Sequence, residues 1–122
     1  MKIEIFVKKV IEQNPNNKFE KYEGKLNDIP KELQPYYKRF NPKKAEVGYN
    51  GTSVCLISAE NLEKENAYYK NMGIGFVFAT CDGDPIFYYA GKVYTCPHGV
   101  KKPEWECLSE TIEDYFDSII IN

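Results

Sequence analysis

Apolar residues along this 122-residue chain follow two different periods, and the switches between them mark out its elements. Near the N-terminus Ile3, Phe6, Val7, Val10 and Ile11 recur at i, i+3, i+4, i+7 and i+8. That spacing predicts an amphipathic helix over Lys2–Gln13, closed by Asn14-Pro15. Ile3, Ile5 and Val7 also alternate as a strand would, but the helical match is the longer. Residues 17–27 are polar with Phe19, Tyr22 and Leu26 as isolated anchors, which reads as an irregular arm. Asp28 as a cap, Pro30 in a first turn and the stripe Leu33, Tyr36, Tyr37 and Phe40 predict a second helix, which Pro35 must kink or split. From Ala45 the period becomes two. Ala45, Val47 and Tyr49, then Val54 and Leu56, flank Asn50-Gly51, whose preference for positive φ predicts a type I′ hairpin with Tyr49 opposite Thr52 and Val47 opposite Val54. Ser58 then reads as the cap of a third helix running to about Met72, with Gly73 as its left-handed stop and only a thin apolar stripe of Ala59, Leu62 and Tyr69.

The stretch Gly73–Gly99 organises the rest. Ile74 to Cys81 is apolar on both alternating faces, with Ile74, Phe76 and Phe78 on one side and Val77 and Ala79 on the other, as in a strand covered on both sides. Asp82-Gly83-Asp84-Pro85 supplies turn chemistry. Strands are expected at Ile86–Tyr89 and Lys92–Cys96 about a tight turn at Ala90-Gly91. That register puts Phe87, Tyr89, Lys92 and Tyr94 on one face and Ile86, Tyr88 and Val93 on the other. Pro97–Pro103 reads as a loop and Trp105–Leu108 as a short last strand. Ser109 is the expected cap of a final helix carrying Ile112, Tyr115, Phe116, Ile119 and Ile120 at helical spacing, with Glu110, Glu113 and Asp114 near its positive end. Helices separated by hairpins rather than by βαβ units give an α+β class. The expectation is a single domain over 1–122, a largely antiparallel mixed sheet of about five to six strands packed with about four helices.

Composition adds limits. With 43% hydrophobic and 28% charged residues, ten Tyr and seven Phe, the chain has the make-up of a globular protein rather than a disordered one. No apolar run approaches the roughly 20 residues that span a bilayer, and the charged N-terminus has no h-region, so the expected compartment is the cytoplasm and the four cysteines are read as thiols. Net charge is -2, which offers no global argument for nucleic-acid binding. The distribution is uneven: residues 1–80 carry 13 Lys/Arg against 10 Asp/Glu, and residues 81–122 carry 3 against 8. An acidic C-terminal third suits a solvated helix face or attraction of a basic partner.

Three phrases resemble the SUKH superfamily of fungal cell-wall-assembly regulators and bacterial toxin-immunity proteins. They are Ile29-Pro30-Lys31-Glu32-Leu33 with Tyr36-Tyr37-Lys38-Arg39-Phe40-Asn41-Pro42; Ile74-Gly75 through Gly83-Asp84-Pro85-Ile86 to Val93-Tyr94 and His98; and Leu108-Ser109 with Ile112, Tyr115, Phe116 and Ile119. Together they reach from Ile29 to Ile120. What the resemblance implies is a non-enzymatic α+β binding domain, in bacteria most often an immunity protein that occludes a cognate toxin such as a nuclease, without a cofactor.

Individual residues leave other chemistry open. Cys55, Cys81, Cys96 and Cys107 contain no Cys-x-x-Cys pair of the kind that presents two thiolates to zinc. Asp82 and Asp84 supply too few oxygens for a calcium loop. His98, the only histidine, stands two residues from Cys96, and a Cys/His pair activating a thiolate is the enzyme alternative. A regulatory scaffold domain without a toxin partner is a third. For the binding reading the candidate contact residues are Asp82, Asp84, Tyr88, Tyr89, Tyr94, His98, Glu104, Trp105 and Glu106, since Tyr and Trp bury large rigid areas at small entropic cost. The expected partner is a basic protein toxin, with no direct nucleic acid and no membrane.

Overall fold

The computed structural model describes residues 3–120. Seven strands, β1 (Lys18–Glu20), β2 (Asn41–Tyr49), β3 (Thr52–Leu56), β4 (Phe76–Cys81), β5 (Asp84–Tyr89), β6 (Lys92–Thr95) and β7 (Glu106–Ser109), form one sheet in chain order. Every neighbouring pair is antiparallel. With helices α1 (Ile3–Gln13), α2 (Gln34–Arg39), α3 (Leu62–Tyr68) and α4 (Ile112–Ile120), the class is α+β. The sheet is larger than the expected five to six strands and contains no parallel pair. The additional strand is β1, three residues with no apolar alternation inside the polar arm, paired to β2 through an irregular register.

One face of the sheet is packed by α1, α2 and α4. Helix α1 buries Phe6, Val7 and Val10, and α4 buries Ile112, Tyr115, Phe116, Ile119 and Ile120, the residues that their spacing marks. The expected start at Lys2 lies outside the described residues. Phe116 is the hinge of this layer: its ring centroid is 4.8 Å from those of Phe6 and Tyr36 and 5.9 Å from that of Phe78. Phe78 owes its direction to a bulge, because Val77 pairs with Phe87 while Ala79 pairs with Ile86. The extra residue turns Phe78 toward Tyr115 and Phe116 and moves Ala79 off the side of Val77, where strict alternation had placed it.

Both primed hairpins form as expected. Asn50 and Gly51 have φ of 49° and 78°, with Tyr49 opposite Thr52 and Val47 opposite Val54. The turn after β4 is tighter than the four-residue segment read from the sequence. Asp82-Gly83 alone makes it, with φ of 52° and 86°, and Pro85 pairs with Thr80 inside β5.

The helix expected from Ser58 to Met72 is broken into a 3-10 turn at Ala59–Asn61, α3, and a second 3-10 turn at Lys70–Met72, before Gly73 takes the left-handed φ of 67°. Ser58 makes no side-chain cap. The Ala59 N–H donates instead to Oδ1 of Asn41, 2.7 Å away on β2. Likewise Thr111 rather than Ser109 caps α4, its Oγ1 accepting from the Asp114 N–H at 3.0 Å, because Ser109 is held in β7. Pro35 splits the second predicted helix: only short turns form at 27–28 and 31–33, and α2 starts with Pro35 in its first turn, where the missing N–H costs nothing.

Candidate binding surface

The β5–β6 hairpin sets the geometry. Ala90 and Gly91 have φ of 50° and 91°, a two-residue primed turn, and the register is Phe87 opposite Tyr94, Tyr88 opposite Val93 and Tyr89 opposite Lys92. Since opposed residues share a face, Phe87, Tyr89, Lys92 and Tyr94 stand on the side away from α4. Cys107 opposes Tyr94 and Glu106 opposes Thr95, so alternation carries Trp105 onto the same side as Cys107.

Four rings gather there. Phe87 stacks on Tyr94 at 5.8 Å, and the Trp105 ring lies 4.9 Å from Phe87, 5.2 Å from Tyr89 and 5.3 Å from Tyr94. Each such pair contributes about 0.5–1.5 kcal/mol beyond its burial. Phe87 is wholly covered, yet Trp105 and Tyr89 remain 37% and 52% exposed. A large aromatic group fixed by three neighbours and still open has lost its conformational entropy before any partner arrives.

Acidic groups border this surface. Asp84 Oδ1 accepts from the backbone N–H of His98 at 3.0 Å and meets its Nδ1 at 2.7 Å. Asp82 accepts from the Thr52 hydroxyl at 2.8 Å. Tyr69, just beyond α3, donates its hydroxyl to the Gly83 carbonyl at 2.7 Å, and the 76% exposed Tyr68 meets its ring edge-on at 4.9 Å. Lys92 is tied to Glu110 at 3.1 Å. Glu104 and Glu106 are exposed and, among the described residues, carry no ion pair. A cleft of about 350 Å³ runs between these groups, lined by Asp84, Thr95, Cys96, Pro97, Glu104, Trp105 and Glu106.

Of the candidate residues, Tyr89, Tyr94 and Trp105 therefore form one cluster, and Asp84, Glu104 and Glu106 line the adjoining cleft. His98 and Asp82 lie at the turn beside them. Tyr88 is separate: it lies on the helix side, where the influence of its hydroxyl draws the Glu32 carboxyl below its usual range. Cys107, on the aromatic face and exposed, was not among the candidates, although its i+2 relation to Trp105 pointed to it.

The cysteines are all free. Cys96 is 2% exposed, and burial, then the charge of Asp84, pushes its thiol up, the reverse of what activates a thiolate. Its expected partner His98 lies beyond the end of β6, where strand alternation no longer holds the two on one face, and turns to Asp84. Among the described residues no three His, Cys, Asp or Glu side chains converge on a metal site. No described helix is long and apolar enough to cross a membrane. No family model, curated protein or solved structure matches the chain.

Proposed function

We propose that this chain is a protein-binding domain that neutralises a basic protein partner by covering it, an immunity protein of the kind the SUKH resemblance implies, acting in the cytoplasm on a toxin. The observation that carries the reading is the open Trp105–Tyr89–Tyr94 cluster near Glu104 and Glu106, which make no ion pair among the described residues. Pre-ordered aromatic anchors with acidic residues nearby match what protein interfaces use, and the negative field speeds encounter with a positive surface.

Co-expression with toxins encoded beside the gene tests this. A cognate toxin is expected to be tolerated with the intact chain and to kill with Trp105→Ala, the purified pair losing about 2 kcal/mol, roughly thirtyfold in affinity. Equal protection by Trp105→Ala and Tyr89→Ala, or no complex with any such toxin, overturns the proposal.

A further inference from the structure

The 350 Å³ cleft next to Trp105 has a composition that singles out one kind of occupant. Asp84, Glu104 and Glu106 bring three carboxylates to it, and no lysine or arginine is among its lining residues. His98, beside the cleft, engages a single oxygen of Asp84. Cys96, buried to 2% and without a hydrogen bond to its thiol among the described residues, also lines it. Trp105 completes the wall and continues directly into the open aromatic face.

We propose that this cleft receives an arginine side chain of the protein partner. The inference rests on the protein-binding reading above and specifies its anchor. Three separated acceptors call for a planar group with several fixed donors, which guanidinium has and ammonium lacks. Guanidinium also sheds water more readily than ammonium, so a half-covered cleft favours it over lysine. A second copy of this chain docked about a two-fold axis is a poor occupant, because it would bring Glu104 and Glu106 against their own equivalents. The negative setting is also felt by Cys96, whose thiol is raised in part by Asp84.

Trp105 is the only tryptophan, so its emission reports the cleft directly. The intact chain is titrated at low salt with acetyl-Gly-Arg-Gly-amide and with its lysine and citrulline counterparts. Expected are a saturable change with arginine, binding about fivefold or more weaker with lysine and none with neutral citrulline. In the surface variant Glu104→Gln/Glu106→Gln, with an unchanged denaturation midpoint, arginine affinity is expected to fall about tenfold. An equal response to citrulline, no response to arginine, or an unchanged affinity in that variant overturns the anchor. The two proposals separate cleanly. A protein partner whose contact arginines can each be replaced without loss refutes the anchor alone, whereas arginine binding with no protein partner supports the anchor and refutes the immunity reading.

Discussion

Replacing Asn66 by Ala removes a side chain that stands in for a strand. Beyond Leu56 the β3–β4 ladder ends, with Ile57 giving its N–H to the Phe78 carbonyl. The next backbone groups of β4 have no strand to meet, and the Asn66 amide takes both: Val77 N–H donates to Oδ1 at 2.8 Å and Nδ2 donates to the Val77 carbonyl at 2.9 Å. The same Nδ2 reaches the Leu62 carbonyl at 2.9 Å. Alanine leaves the Val77 pair unmet in a partly covered site at about 1 kcal/mol each, and loss of the α3 tether brings the sum to about 2–3 kcal/mol. For a chain of this size that lowers Tm by about 10 °C. Urea unfolding followed by circular dichroism measures the energy, and amide exchange at Val77 locates it. Asn66→Asp sharpens the test, since it keeps the acceptor but sets a carboxylate against two carbonyls, so its cost should shrink as pH falls through the carboxyl range. A loss below about 0.5 kcal/mol, with Val77 exchange unchanged, would refute the reasoning.

Gly75→Ala places a Cβ 2.2 Å from the Tyr88 carbonyl oxygen, and because that atom is backbone the cost should reach about 3 kcal/mol or more, read as loss of folded yield or a large drop in urea midpoint. Ala90 holds a left-handed φ of 50°, so Ala90→Asn should stabilise by about 0.5–1 kcal/mol in thermal melts, and a destabilised variant would contradict the turn assignment. Glu60, held below the usual carboxyl range by hydrogen bonds from Lys43 and then Asn41, contributes stability that is present above that range and lost as pH falls through its folded value. Glu60→Gln should therefore lower stability at neutral pH and flatten its decline in acid; parallel pH profiles would count against the linkage.

What could be read in advance was periodic. The α4 stripe, the Asn50-Gly51 hairpin and the faces of the β5–β6 hairpin each rest on residues that are close in sequence and governed by local backbone rules. The misreadings share a different cause, since a distant side chain decided the local outcome. Ala59 is capped by Asn41 from another element, and β2 extends back to Asn41 because β1 pairs with it. Asn17 holds that edge, accepting from the Glu46 N–H at 3.0 Å and donating to the Glu46 and Val10 carbonyls. Nothing in a polar arm signals that its asparagines will serve as backbone surrogates. The bulge at Phe78 was equally hidden, as it reflects where α4 needs a ring. Of the candidate surface, the aromatic members were legible from hairpin register. Asp84, Glu104, Trp105 and Glu106 were legible as candidates, but not the cleft they line with Cys96, because it depends on how the ends of three consecutive strands and the loop after β6 fold together.

The division of labour between the two faces of β5 to β7 also bears on how such a domain changes over time. Ile86 and Val93 are committed to the core, while Tyr89, Lys92 and Cys107 project the other way with open side chains. Substitutions at Lys92 and Cys107 touch no helix packing and should each stay within about 0.5 kcal/mol of neutral, whereas Tyr89 also carries its edge-on contact with Trp105. A lineage built on this sheet is thus free to change the chemistry of that open face by drift on alternate residues, with the fold itself bearing little of the cost.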